Sequence, residues 1–416
     1  MPDSPSRRYA AGMRTPQEHL TALLAGLEPL PPVDLPLIVA RDCVLAEDVH
    51  ARWPLPSFAN SAMDGYAVRA ADVVAATADR PVRLEVIEDI PAGAWPQRQL
   101  LPGTAARIMT GAPVPEGADG IVRVEHTDGG MPVVEVCGPA GDDIRRIGED
   151  VADGVVVLTR GALMNPRTIG LAAAVGRDTV RVHPRPRVHL ISTGSELVEP
   201  GQLPEPGQIS DVNGVMLEAA LLELGVQVTR SSIVHDDAEV LTQALLQAAD
   251  ASDLVITTGG VSMGAYDTVK AVLTELGSVR FERVAMQPGM PQGWGRIGIT
   301  ATPIITLPGN PVSALVSLEV FVRPALRLLQ GRPSGWVTSG SLRAGNAFTS
   351  PPGKMQFVRA RRETGDDGTA LTVGAQGSHI LGGLAQADCL LIVPAHTERV
   401  ATGDTLEFLD LRKDAR

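Results

Sequence analysis

Four short stretches carry glycines, acids or hydroxyls that could do chemistry. ISTGSEL holds Thr193, Gly194, Ser195 and Glu196, and TTGGVSMGAYD holds Gly259, Gly260, Ser262, Gly264 and Asp267. LPGNPVSA holds Gly309 and Asn310, and VHDD holds Asp236 and Asp237. Glycine lets the main chain approach a ligand closely, and the start of a helix offers free N–H groups to an anion. The chemistry is capture of a phosphate-bearing ligand. Glu196 and Asp267 would repel such a ligand unless a cation lay between them, and magnesium suits a few carboxylates, waters and phosphate oxygens. For Asp236 and Asp237, helix capping is as good an account as a ligand role. Asp211 in ISDVNG reads as a cap for the helix after it, with a ligand contact as a second role. In LPGNP, Asn310 and Pro311 also read as a plain N-cap and first helical position.

A second group lies earlier. NSAMDGYAV offers Ser61, Met63, Asp64, Gly65 and Tyr66, and RRIGED offers Arg145, Arg146, Glu149 and Asp150. From residue types alone the first is a turn and the second a surface ion-pair cluster. The histidines show no HExxH spacing, and no Ser–His–Asp set stands out.

These residues need elements to hold them. TPQE opens a helix, with Thr15 as cap, Pro16 at the first position and Glu18 closing a capping box; Leu20, Leu23, Leu24 and Leu27 follow at helical spacing. Residues 53–143 turn to short apolar runs between turn signals, a small β-rich module. NPRTIGLAAAVG is a second helix, capped by Asn165 and stopped by Gly176, and the two helices are expected to pack together around the ends of that module. After HPRPR at 183–187, apolar strands alternate with helices: VHLIST, GVMLEAALLELG, VQVTRSSIV, AEVLTQALLQAA, DLVITT, DTVKAVLTELG, TPIITL and a helix from Pro311 to about Leu329. That alternation means a doubly wound, mostly parallel α/β sheet, with ligands at the carboxyl ends of its strands. GRPSG at 331–335 breaks the pattern before a glycine-rich β domain.

Composition narrows the class. A chain of 416 residues with 44% hydrophobic residues supports two to four domains. A net charge of -12 and 3% aromatic residues disfavour nucleic acid as a partner. The three cysteines form no CxxC and cannot all pair. With no signal-peptide core and no run of membrane-spanning length, a cytoplasmic protein without membrane contact is expected.

NSAMDGYAV, TGAPVPEGAD, RRIGED, STGSEL, TTGGVSMGAYD, LPGNPVSA and QGSHIL occur in this order along nearly the whole chain. Together they resemble the molybdopterin molybdenumtransferase family, MoeA and the gephyrin E domain. The resemblance implies an elongated homodimer whose four domains would span 15–52 with 144–183, 53–143, 184–330 and 331–416, the third sharing the fold of molybdopterin adenylyltransferases. It implies insertion of molybdate into adenylated molybdopterin with magnesium-dependent release of AMP, and transient contact with molybdopterin adenylyltransferase and apo-molybdoenzymes. By the same likeness Asp64, Asp150, Glu196 and Asp267 are the catalytic acids. Glu196, Asp267 and an acid of the Asp236–Asp237 pair, taken as Asp237, hold the metal. Thr193, Gly194, Ser195, Asp211, Gly259, Gly260, Ser262, Gly264, Gln287, Pro288, Gly309 and Asn310 bind substrate, while Arg359 and Ser378 suit an oxyanion. The family commonly has lysines where Gln287 and Met290 stand, so Arg359 or another nearby arginine must supply the charge, or the chain is a weakened paralogue. The alternatives are adenylyl transfer to molybdopterin and a non-catalytic dimeric scaffold.

Overall fold

A computed structural model describes residues 12–235, 237–259, 268–276, 278–363 and 365–412. The chain forms two compact units. One takes the N-terminal segment up to Val33, Asp42–Val44 and everything from His183; the other takes Asp34–Arg41 and Leu45–Val182.

At the centre of the first unit is a six-stranded sheet. Its order is Gln227–Arg230, Arg187–Ser192, Leu254–Thr258, Thr302–Leu307, Pro291–Ile297, Arg280–Arg283. The first four strands are parallel and the last two antiparallel. Because side chains alternate across a strand, each strand feeds two cores. Val188, Leu190, Leu254, Ile256, Ile305 and Leu307 face helix Val212–Glu223 and the 311–329 helix. Ile191, Val255 and Ile304 face helices Ala238–Ala251 and Thr268–Glu275 on the other side. This is the doubly wound arrangement that the alternation of elements implies.

The two antiparallel strands at this end of the sheet were not expected, and in Pro291–Ile297 the glycines and the proline argue against strand. Long-range packing demands those residues. A Cβ at Gly293 would lie 2.2 Å from Thr306 Oγ1, and one at Gly295 2.5 Å from the Val279 Cα.

The 311–329 helix runs as expected but contains one π turn, Leu318–Val322, directly before Pro324. Proline has no N–H to continue the α ladder, and the wider turn absorbs that loss. The first helix, Pro16–Leu24, has the expected capping box. Its packing differs from expectation. Leu20 and Leu23 enter the first unit's core with Phe321 and Leu326, whereas Pro166–Ala174 belongs to the second unit. Leucine side chains buried this fully contribute about 2 kcal/mol each, which outweighs any local preference for a neighbouring helix.

The C-terminal strands close on themselves. Met355–Glu363 pairs with both Asp366–Thr372 and Cys389–Val393, and Ser341–Ala344 and Thr405–Asp410 complete the ring. Val358, Ala360, Leu391, Val393 and Phe408 fill it. Strand Met286–Gln287 leaves the α/β region and pairs with Met355–Gln356, joining the two parts.

The second unit is built on a five-stranded sheet of order Gly120–Arg123, Gly65–Val68, Thr104–Ile108, Val82–Ile90, Val133–Val136. Tyr66, Leu84, Val122 and Val134 pack on one face, and Ala67, Ile90, Ile108 and Ile121 on the other. No described helix is long and apolar enough to cross a membrane.

Candidate active site

Three of the glycine-bearing strand ends meet where the sheet order reverses. Strand Arg187–Ser192 lies between an element that follows it and one further along, so its end is the switch point of the sheet. Thr193 N donates to Thr258 O at 3.1 Å, and Gly194 N to Val234 O at 3.2 Å. Gly259 has φ +96, and a Cβ there would stand 2.6 Å from the Thr193 carbonyl oxygen. A Cβ on Gly309 would lie 3.7 Å from the Gly259 Cα. Bare backbone from three loops therefore shares one small volume, and glycine is what permits it.

Glu196 folds back over this point. Gly194 has φ +150, and a Cβ on it would fall 2.6 Å from Glu196 Oε2. The Glu196 side chain is exposed, while its carbonyl is tied down by Ile209 N at 2.8 Å. Ser195 is exposed on the same loop.

Beneath the rim lie polar atoms without hydrogen-bond partners among the described residues. Ser192 Oγ, Thr193 Oγ1, Asn213 Oδ1 and Asp211 Oδ2 are all buried in this state. Asp211 acts as the expected cap, its Oδ1 accepting from Gly214 N at 2.8 Å, while Oδ2 is 3.5 Å from Arg230 Nη1. Asn213 was missed in the sequence. Its Nδ2 donates to Thr258 Oγ1 at 2.8 Å and to Gly309 O at 2.7 Å, tying helix start to rim. Only its place two residues beyond the cap could have pointed to it.

Asp237 takes the capping alternative. Its Oδ1 accepts from Glu239 N at 3.0 Å and Val240 N at 2.9 Å. Asp236, Gly260, Ser262, Gly264 and Asp267 lie outside the described residues. Among the described residues no three His, Cys, Asp or Glu side chains gather as a metal cluster.

The C-terminal ring brings further residues to the start of the 311–329 helix. Asn310 has no side-chain cap bond; its Nδ2 donates instead to Ser378 Oγ at 3.0 Å, and Val312 N reaches Ser378 O at 3.2 Å. The cap expected of Asn310 is thus replaced by a tertiary contact between two of the expected substrate residues. Arg359, expected as an oxyanion donor, is 1% exposed. Nη1 donates to Ile380 O at 2.8 Å and Nη2 to Ala375 O, so the guanidinium braces the loop that carries Ser378. Burial lowers its pKa from the usual value.

Gln287 is half-buried on the linking strand and Pro288 is buried beside it. Met290 follows three residues after Gln287, and Arg283 Nη2 lies 3.4 Å from its sulfur. Arg283 is exposed and is the arginine that touches Met290, whereas Arg359 is buried.

In the second unit, Asp64 is exposed and its Oδ1 accepts from Thr110 N at 2.7 Å and Thr110 Oγ1 at 2.8 Å. Thr110, in TGAPVPEGAD, was not singled out from the sequence. The glycine after Asp64 serves close packing: a Cβ on Gly65 would lie 2.0 Å from Val122 O. Ile144 pairs with Ser61 and Arg145 with Asn60, which sets RRIGED beside NSAMDG. Within RRIGED, Glu149 Oε2 accepts from Arg146 N at 2.7 Å, forming the turn, and Asp150 is exposed after it.

The two Thr110 donors, chiefly the backbone N–H, hold the Asp64 pKa below its ordinary value. The folded-state pKa is the lower one. The stability it brings is therefore present above the ordinary carboxylate pKa and lost as pH falls through the lowered value. Thr110→Val removes the hydroxyl donor and should raise the Asp64 pKa, with the backbone donor keeping it short of the ordinary value. Carboxyl NMR titration would read this, and an unmoved pKa would mean the hydroxyl is not a real partner.

Comparison with known proteins places these observations. Residues 14–176 match the MoeA N-terminal region (domain I and II), 189–328 a probable molybdopterin binding domain, and 341–411 the MoeA C-terminal region (domain IV). Molybdopterin molybdenumtransferase 2 of Mycobacterium tuberculosis is 48% identical over 407 residues, covering 96% of this chain and 100% of that one. A molybdopterin molybdenumtransferase of Haemophilus influenzae is 35% identical over 378 residues, covering 88% of this chain and 91% of the relative. The crystal structure of a molybdopterin biosynthesis MoeA protein from Pyrococcus horikosii superposes with a TM-score of 0.79 at 30% identity, covering 96% of this chain and 99% of that one. With its regions matched in order and its likeness running from end to end, the chain belongs to the MoeA family of molybdopterin molybdenumtransferases.

Proposed function

We propose that this chain is a molybdopterin molybdenumtransferase, inserting molybdate into adenylated molybdopterin with release of AMP. The observation that carries the reading is the meeting of Gly194, Gly259 and Gly309 at the switch point, with the Glu196 carboxylate over it. The bare glycine backbone of the rim lets the diphosphate approach closely, and the unpartnered Thr193 Oγ1 and Asn213 Oδ1 beneath it orient the nucleotide. Ser378 and Asn310 donate to the incoming oxyanion, in a loop that Arg359 holds in place. The hard oxygens of Glu196 and Asp267, with an acid of the Asp236–Asp237 pair, fit magnesium, which when bound offsets the charge of the diphosphate. Asp64 and Asp150, on the second unit, are the remaining acids that the family likeness assigns to catalysis.

The reading includes a cytoplasmic homodimer that receives substrate from molybdopterin adenylyltransferase and passes product to apo-molybdoenzymes. Sedimentation as a stable monomer would remove the dimer from it. The central test is AMP release from adenylated molybdopterin, with and without molybdate and magnesium. Wild-type protein that releases no AMP under any of these conditions would overturn the assignment.

The Gln287–Met290 edge supports a second reading, that of a scaffold. A lost charged donor costs about 1.5–3 kcal/mol, or roughly 10- to 150-fold in affinity if nothing replaces it. With Arg283 beside Met290, part of that is recovered. Gln287→Lys combined with Met290→Lys should therefore lower the molybdate concentration for half-maximal AMP release by about 10-fold. An inert wild type made active by the double substitution would favour the scaffold.

A further inference from the structure

The loop that carries Glu196 has little of its own to hold it. Between Glu196 and Asp211 the chain makes an excursion whose outer part, 200–207, is exposed throughout, with Leu203 93% exposed. No apolar burial fixes such a segment, so its position is set at its base. There the two legs pair, Leu197 beside Ile209 and Val198 beside Ser210. Ile209 N donates to Glu196 O at 2.8 Å, and Asp211 N to Val198 O at 2.9 Å.

Arg230 stands against that base, within the same compact unit. It ends the outermost strand of the six-stranded sheet, in register with Leu190. Val228 packs on the core that helix Val212–Glu223 shares, and side chains two apart on a strand point the same way. The guanidinium meets three carboxylates from three segments. Nε donates to Glu218 Oε2 on the helix at 3.1 Å, and Nη1 and Nη2 reach Glu199 Oε2 on the outgoing leg at 3.4 and 3.5 Å. Nη1 also lies 3.5 Å from Asp211 Oδ2 on the returning leg. A single exposed ion pair contributes little. Here the arginine side chain is 22% exposed and that of Asp211 1%, and one planar fork spans both legs and the helix they lead into. Asp211 Oδ2 makes no hydrogen bond among the described residues, so the Arg230 charge is what offsets its burial.

We propose that Arg230 is a positioning residue for the reaction: by clamping Glu199 and Asp211 it fixes the base of the excursion, and so keeps the Glu196 carboxylate over the glycine rim. The inference rests on the function proposed above, in which Glu196 acts at that rim. Glu199 follows Glu196 by three residues, so a base that loosens carries Glu196 with it. Arg230 works through this loop and not by contact with substrate. A small displacement of a group that acts on a bound substrate is costly, because the rate depends on its placement to within about 1 Å.

The test combines amide hydrogen exchange at Ile209 and Asp211 with steady-state AMP release by the full chain. Arg230→Met should speed exchange at both amides and lower kcat, each by about 10-fold. Arg230→Lys should restore only part, since an ammonium cannot span the three acids. Glu199→Gln frees one leg without stranding Asp211, which keeps the test valid if Arg230→Met fails to fold. It should lower kcat by about threefold with an unchanged KM for adenylated molybdopterin. In a Glu196→Gln background, Arg230→Met should cost at most about twofold further, because a residue that works through Glu196 then has nothing left to position. Losses that multiply in full would make Arg230 a merely structural residue and overturn the proposal. Wild-type exchange at Ile209 in both Arg230→Met and Glu199→Gln, or wild-type kcat in both, would overturn it as well. The two proposals fail separately: a wild type without AMP release sinks the function, while the exchange arm still reads whether Arg230 clamps the loop.

Discussion

Glu196→Gln should lower AMP release by about 100-fold or more, while the melting temperature stays within about 2 °C of wild type. The substitution keeps size and shape and removes only the charge. The side chain is exposed, so it contributes little packing, and the loop's anchor is the Glu196 carbonyl, which the variant retains. The loss would come from chemistry at the rim, where an amide cannot help hold a divalent cation beside a diphosphate. Excess magnesium should recover part of the activity, which a merely structural defect would not allow. Full turnover in the variant would return Glu196 to the status of a loop residue lying over Gly194. The same assay applies to Asp267→Asn, whose position lies outside the described residues.

The second large effect is on stability. Arg359→Met should destabilise the C-terminal ring by about 2–4 kcal/mol and loosen the loop bearing Ser378. The Ala375 and Ile380 carbonyls would lose their charged donor. The two acceptors are only part-buried, so each loss falls in the lower half of the roughly 1–3 kcal/mol that a buried one would cost. Against this stands relief from burying a cation, and burial already lowers the Arg359 pKa. Two carbonyl bonds should outweigh that relief. Thermal unfolding and limited proteolysis near 375–380 would measure the outcome. Equal or greater stability in the variant would mean that the guanidinium is kept for its charge, and would restore Arg359 to the oxyanion role. Arg359→Lys should rescue little, since one ammonium cannot reproduce a fork spanning two carbonyls.

What the sequence determined alone is what depends on near neighbours and on alternation. The Thr15–Glu18 box and the Asn165 cap are closed within three residues, and both form as read. The doubly wound sheet follows from apolar strands alternating with helices, and the glycine-bearing ends then fall on its rim because each follows a strand of that sheet. Tertiary structure decided what depends on residues far away in the chain. Gly293 and Gly295 look like strand breakers until Thr306 and Val279 lie against them. Asn310 reads as a cap until Ser378, 68 residues on, takes its side chain. Arg359 reads as an open cation until the ring closes around it and two carbonyls face it. Leu20 and Leu23 fit any apolar partner, and only the competition among all buried surfaces sends that helix to Phe321 and Leu326. Local rules specify elements and the order of their ends; which distant side chain meets each end is settled by packing, because burial energy has no direction along the chain.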